Sequence, residues 1–379
     1  MKYFNILLIL LTLIALNSCS SFSWNEFFSG GGNAEKRNEK LMKDFEVDED
    51  LAAKFEVKQV PVPPAPVRPT SKAVQEALNM PGQLISKPKR QTIKPKPSKK
   101  PLVKESKKTE AKKAKVKEEE QVATSPYPED FPKRLIDFDK DSAKFWDDFE
   151  PVVNIGETTV LNITYLGVNT GKVTLTTKPH GLVGEDAVYH FNARVKTSSY
   201  YSYLYEVDDY CDSLVRQVDF LPRKFSLIQR ESNHNIDDLQ LFDLEKLQTI
   251  SLYKKVSKKK TRKKKKIKPI PKYFQDPLSI LHFLRGLPLE KAASYRIPLT
   301  NQGEVDEFFV KTGRTDKIKT EIGEKDAFVL EIETKAKGKT IKGGSMTFWF
   351  SADKNRVFLK FEAEIKIGSV QGEIEKYSL

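Results

Sequence analysis

Thr158 to Thr177 reads TTVLNITYLGVNTGKVTLTT, and its hydrophobic period is two. Thr158, Val160, Asn162 and Thr164 alternate with Thr159, Leu161, Ile163 and Tyr165, the pattern of an extended strand with two unlike faces. Gly167 to Gly171 turns the chain, and Lys172 to Thr177 brings it back. The stretch is therefore an antiparallel hairpin with a five-residue turn region.

The same pattern repeats downstream, spaced by turn signals. Strands are predicted at 187–196, 214–219, 224–231, 240–244, 248–253, 294–299, 304–311, 315–321, 327–333, 344–350, 356–366 and 370–376. Tyr200–Val207 fits either a strand or a short helix. Close neighbours joined by short turns make an antiparallel meander, and about a dozen such strands curl into an open or closed barrel. One segment differs. Asp276-Pro277-Leu278-Ser279 offers an N-cap and a proline at the first helical position. Leu278, Leu281, Phe283 and Leu284 then follow at helical spacing up to Gly286. A single apolar helix in a long antiparallel sheet packs on its concave face. The expected fold is mainly β: an antiparallel meander forming a strongly curved sheet or open barrel, with one helix on its concave face and a disordered tether before it.

Residues 126–150 are aromatic-rich, with Phe131, Phe138, Phe145, Trp146 and Phe149. They predict a lead-in helix, capped by Asp139 or Asp141, that docks on the domain 151–379.

Three groups of residues resemble the bacterial domain-of-unknown-function family 3108 (DUF3108). Gly156-Glu157, with Tyr165-x-Gly167-Val168 and Gly171, is similar to its opening. Asp276-Pro277-Leu278-Ser279 with Phe283-Leu284-Arg285 resembles its central helix. Phe348-Trp349-Phe350-Ser351-Ala352-Asp353, Arg356 and Gly368-Ser369 resemble its C-terminal hairpin. The likeness covers about Ile155 to Leu379. Arg356-Val357-Phe358 lacks the proline that family members often carry after the arginine, and the lysine run at 254–268 looks like an insertion. The resemblance implies a β-rich, often exported envelope protein and brings no catalytic residues with it.

The first nineteen residues are MKYFNILLILLTLIALNSC. A basic start, a short apolar run and small residues before a cysteine make a secretory signal. Leu16-Asn17-Ser18-Cys19 resembles the lipobox of bacterial lipoproteins, which implies cleavage after residue 18 and acylation of Cys19. About three acyl chains, at about 0.8 kcal/mol per buried methylene, exceed what stable attachment requires. Elsewhere no apolar stretch approaches the about 18 residues of a membrane span. By resemblance to the lipoprotein sorting rule, Ser20 points to the bacterial outer membrane, facing the periplasm. With Cys19 lipidated, only Cys211 is left, and no internal disulfide can form.

The chain carries 65 Lys and Arg against 52 Asp and Glu, a net charge of +13. Residues 87–120 hold +9 and residues 254–268 hold +11, which leaves the rest at −7. The body is mildly acidic, so the basic total does not make this a nucleic-acid binder. Residues 57–125 are rich in Pro, Lys, Ala and Glu and nearly free of aromatics, the composition of a disordered linker. Extended as polyproline, they reach roughly 200 Å and predict an arm that holds the domain off the membrane. Within them Ser71–Met80 could form a short capped helix. Residues 19–56 are expected to be mostly flexible.

Lys254, Lys255, Lys258, Lys259, Lys260, Arg262, Lys263, Lys264, Lys265, Lys266 and Lys268 are read as a disordered loop that contacts anionic surfaces. Each cation near membrane phosphate is worth about 1 kcal/mol. Lipid or glycan phosphate ranks first as partner. Nucleic acid ranks last, because no aromatic interleaves the run as a base-stacking platform would require. An envelope protein partner is left open.

No catalytic motif stands out. His180, His190, His234 and His282 lack metal-ligand spacing, and His190 and His282 read as structural. Asp208, Asp209 and Asp212 around Cys211 lack the alternation of a calcium loop and read as a solvated turn. No metal or cofactor is implied. The sequence favours a non-enzymatic envelope lipoprotein that binds or scaffolds. The alternatives are a carrier sheltering an amphiphile in its curved sheet, and an enzyme whose site assembles only in space.

Overall fold

A computed structural model describes residues 30–59, 127–336, 338–365 and 368–379. The predicted signal sequence, Cys19, the short helix predicted at 71–80 and most of the Pro/Lys stretch lie outside them. Residues 30–59 and 130–379 belong to one folded unit; of the second unit, 63–129, only residues 127–129 are described.

Two helices, α1 (Gly30–Asp44) and α2 (Glu49–Lys54), precede β1 (Val57–Gln59), and α3 (Lys133–Trp146) leads into the sheet. The meander then runs through β2 (Thr158–Tyr165), β3 (Val168–Val183), β4 (Asp186–Thr197), a short α4 (Ser199–Ser202), β5 (Asp208–Arg216), β6 (Pro222–Glu231), β7 (His234–Asp243), β8 (Gln248–Ser257) and β9 (Thr261–Pro269). After α5 (Ser279–Arg285) come β10 (Ser294–Asn301), β11 (Glu304–Thr320), β12 (Gly323–Ala336), β13 (Lys339–Ser351), β14 (Phe358–Glu364) and β15 (Ser369–Ser378). The spatial order is β10 through β15, then β2 through β9, with β1 added on β3. The chain therefore enters mid-sheet, winds to one edge at β9, crosses over carrying α5, restarts at the other edge and returns until β15 pairs with β2. The result is an open, strongly curved antiparallel sheet. The crossover beds along β10, where Gln275 N donates to Pro298 O (2.9 Å) and Thr300 N to Gln275 O (2.8 Å).

The opening hairpin forms with a tighter turn than the sequence suggests. Leu166 and Gly167 both sit at positive φ, 49° and 78°, the two-residue turn whose twist matches the flanking strands. The slack moves into a bulge: Ile163 faces Gly171 and Thr164 faces Asn169, leaving Thr170 extra. The strands predicted at 304–311 and 315–321 are one strand, β11, kinked between Lys311 and Arg314. Gly313 there has φ 94° and lies so close to Ala292 that a side chain could not fit.

The expected helix α5 sits on the concave face. Ile280, Phe283 and Leu284 are buried in the main core, where Phe283 stacks on Phe149 (4.3 Å between centroids) and packs on Trp146 (4.5 Å). The lead-in helix α3 docks as expected, with Trp146 Nε1 donating to Asp219 O (3.0 Å). Its cap is not an aspartate. The helix starts after Pro132, so Asp139 and Asp141 lie mid-helix, and Asp139 accepts instead from Tyr273 N (3.2 Å).

Residues 30–59 form two helices and a strand packed on the sheet, where the sequence reading of 19–56 expected a mostly flexible segment. Leu41, Met42 and Phe55 cover Val183, Leu214, Leu239, Leu241, Ile250 and Leu252 on the outer face of the sheet. Three polar ties reinforce the contact: Glu35 with a fully buried Lys224 (2.6 Å), Ser226 Oγ with Asn38 Oδ1 (2.9 Å), and Lys54 with Asp243 (3.1 Å). The outward residues Leu214 of β5, Leu239 and Leu241 of β7, and Ile250 and Leu252 of β8 are apolar too, so this part of the sheet is buried on both sides. The Pro/Lys stretch consequently leaves from β1 and returns at α3 on one body. It cannot set the distance between the sheet and Cys19, which overturns its reading as the tethering arm.

Candidate anionic-surface interface

The lysine run is not a disordered loop. It forms β9 and the end of β8, paired in continuous register from Gln248 opposite Pro269 to Val256 opposite Thr261. Ser257 N and Lys260 N close the turn through Lys260 O (3.0 Å) and Ser257 O (3.3 Å). Like charges facing each other across strands are unfavourable, as at Lys254–Lys263 and Lys255–Arg262. Here three things offset them. Backbone pairing to β7 continues into β8, Asp44 at the end of α1 takes Lys254, and Glu304 takes Lys266 at 3.0 Å. Lys263 donates to Asp44 O (3.3 Å) over the Phe45 ring.

Lysines on an edge strand also discourage edge-to-edge pairing. Among the described residues no acid lies within ion-pair reach of Lys258, Lys259, Lys260, Arg262, Lys264, Lys265 or Lys268, and all seven are exposed. Lys255 is half-buried; burial and Arg262 lower its pKa while Glu231 works the other way. Of the eleven cations read from the sequence, Lys254, Lys263 and Lys266 hold the hairpin down, Lys255 is half-buried and seven face solvent.

The three resemblance motifs meet inside the sheet. Asp276 Oδ1 accepts from Leu278 N (2.8 Å) and Ser279 N (2.7 Å), Ser279 Oγ accepts from Asp276 N (2.9 Å), and Ser213 Oγ donates to Asp276 Oδ2. Burial pushes Asp276 up to about 6. At the other end of α5, Arg285 grips Glu157 with two bonds of 2.7 and 2.9 Å and donates to Asn355 O (2.6 Å). Arg356 in turn donates to Arg285 O (2.7 Å) and Leu287 O. All these contacts pin α5. Their pairing was invisible in sequence; the only hint was a charged residue closing an otherwise apolar helix.

Asp208, Asp209 and Asp212 are not a solvated turn but lie in β5. Asp208 holds Arg194 (2.8 Å) on the outer face. Asp212 meets His190 (2.6 Å) and Lys178 (3.5 Å); burial opposes its charge, yet the hydrogen bond with His190 and the nearby Lys178 charge hold its pKa below the usual range. Asp209 points inward beside Glu231, accepting from Gln229 Nε2 (2.8 Å) and Arg230 N (3.0 Å), and burial and Glu231 push it to about 7. Asp238 is fully buried and also raised to about 7 by burial, although Gln302 Nε2 donates to it (2.8 Å). His234 is held neutral down to about 4 by burial and Lys255. His282 is buried, stacks flat on Phe191 (3.7 Å) and stays neutral because of that burial. Burial and the nearby aspartates raise the Cys211 thiol well above normal, which leaves it inert. No three His, Cys, Asp or Glu side chains converge as a metal site among the described residues.

Between α5 and Met346, Phe348 and Phe358 lies an apolar recess of about 70 Å³. Ligand pockets for drug-sized molecules run to roughly 300–1,000 Å³, so the recess beside α5 is too small to be one. A larger cleft of about 520 Å³ crosses β11 to β14, lined both by charged groups, including Lys311, Glu331, Glu333 and Glu362, and by the core residues Val310, Ile332, Met346 and Ala363.

The fold and site thus define a class: an open antiparallel barrel plugged by a pinned helix and bearing a rigid basic hairpin at one edge. Within that class the chain belongs to the family described as protein of unknown function DUF3108, whose profile matches residues 160–375. No curated protein matches the sequence. Among solved structures, a β-barrel-like protein of domain DUF1849 from Brucella abortus is similar at 11% identity, over 60% of this chain and 98% of that one, with a TM-score of 0.39. A candidate exported protein with a YmcC-like fold from Bacteroides fragilis is 10% identical over 61% and 99%, TM-score 0.28. A candidate lipoprotein from Parabacteroides distasonis is 13% identical over 62% and 98%, TM-score 0.28.

Proposed function

We propose that this chain is a non-enzymatic lipoprotein of the bacterial envelope, anchored through Cys19 in the outer membrane and facing the periplasm. Its barrel rests against an anionic surface through the β8–β9 hairpin. The observation that carries the reading is the set of seven solvent-facing cations on one rigid frame. A preordered array meets phosphate without first losing chain entropy. Chain length supports the same placement: eleven residues from Cys19 to Gly30 span at most about 36–40 Å, so the barrel stays near its anchor. The recess beside α5 is too small to shelter an acyl chain, and the larger cleft across β11 to β14 carries charged groups in its lining.

Vesicle sedimentation tests the hairpin, using the chain from residue 19 with Cys19→Ser. Replacing Lys258, Lys259, Lys260, Lys264 and Lys265 by Gln is expected to weaken binding to anionic vesicles by about 10³-fold at low salt, at about 1 kcal/mol per cation. Parent binding should fall steeply with salt. Equal binding by parent and variant would remove the hairpin from this role. For the anchor, Cys19→Ala in the full chain is expected to move the protein from the membrane to the soluble fraction. Retention in the membrane would refute lipidation.

A further inference from the structure

In an antiparallel meander, successive turns alternate between the two ends of the strands. The turns after β2, β4, β6 and β8 therefore share one end, which is also the end of the cationic tip. Those turns touch in sequence around the rim. Leu166 lies against Gly368, Ser198 N donates to Thr170 O (3.0 Å), Ser232 N donates to Glu206 O (3.1 Å), and His234 pairs with Ser257. Six of the ten exposed large apolar residues among those described are found here: Leu166 (65% exposed), Val168, Tyr200 (74%), Tyr203 (75%), Leu204 and Val256. The other four, Ile155, Val218, Ile267 and Leu379, lie outside these turns.

From this geometry we infer that the rim formed by the β2–β3 turn and α4 inserts into the interfacial layer of an anionic phospholipid bilayer, at the same end of the sheet as the lysine tip. The inference rests on the proposed surface contact and deepens it. Tyrosine and leucine next to lysine is the composition of a membrane interface: aromatic and aliphatic groups enter the headgroup boundary and cations meet phosphate. The aromatic loop also has a fixed base. Tyr205 is buried and donates to Glu231, so Tyr200 and Tyr203 project from a held strand end. A solvent-only role would leave an exposed apolar patch without an occupant.

The test uses the chain from residue 19 with Cys19→Ser, carrying an environment-sensitive fluorophore on Tyr203→Cys or, at the far end, on Val218→Cys. Cys211 is buried and does not compete for label. With vesicles of phosphatidylcholine and phosphatidylglycerol, the Tyr203→Cys probe is expected to blue-shift and to be quenched by brominated acyl chains, and the Val218→Cys probe is not. Tyr200→Ser, Tyr203→Ser and Leu204→Ser together should weaken vesicle partitioning by about 30-fold, from the lost burial of three apolar side chains, with thermal unfolding unchanged. If vesicles pellet the parent but the Tyr203→Cys probe stays in water, rim insertion is overturned and the hairpin contact stands. If vesicles do not pellet the parent at all, the surface contact itself falls.

Discussion

Arg285→Ala is expected to lower the unfolding free energy by about 3–5 kcal/mol, because it strands Glu157 as a buried, uncompensated charge. Glu157 and Arg285 are both buried and joined by two bonds, so water cannot replace the guanidinium. The loss exceeds the worth of the pair itself, since bringing two ions out of water consumes much of their attraction. Two companions separate these terms. Glu157→Gln alone should also destabilise, and the double variant Arg285→Met/Glu157→Leu should recover most of the loss. Urea unfolding of the parent and the three variants measures each loss and the recovery. If Arg285→Ala costs less than about 1 kcal/mol, the pair does not pin α5.

Asp238→Asn should stabilise the protein at pH 8 and confer no advantage at pH 4. Asp238 is fully buried, and its carboxyl titrates near 7 in the folded state, against about 3.9 in an unfolded chain. The sign follows from linkage. Between those values the unfolded state releases the proton that the folded state keeps, so stability declines as pH rises from about 4 to about 7. Three pH units correspond to roughly 4 kcal/mol per group. Asparagine imitates the protonated form and still accepts from Gln302. Asp209→Asn should behave alike, since Asp209 is raised to about 7 beside Glu231. His234, lowered to about 4, runs the other way between pH 4 and 6.5, but it cancels when parent and variant are compared. Melting temperatures across pH 4–8 provide the check; a difference independent of pH would show that Asp238 is ionised throughout.

Much of the barrel is legible because alternation is local: β2, β3, β4 and β6 show it within ten residues, and Asp276 marks α5 by its own capping chemistry. The lysine hairpin is not legible in the same way. Its composition predicts repulsion, and repulsion is real, but a strand also gains main-chain bonds that carry no side-chain signature. The acids that relieve it, Asp44 and Glu304, are 210 and 38 residues from the lysines they meet. The aspartates around Cys211 were misread for a related reason: polar residues signal solvent only where the opposing surface is unknown, and here Gln229, Arg194 and His190 supply partners.

By itself the sequence determined a curved antiparallel meander with one internal helix and the places where charge collects, and it carries the lipobox-like motif on which the proposed anchor rests. Only the tertiary structure decided that Glu157 meets Arg285, that the N-terminal helices close the outer face, and that the lysines stand on a fixed frame at one rim. Period and capping arise between near neighbours along the chain. Charge pairing, two-sided burial and the sharing of one end by alternate turns arise between residues that only folding brings together.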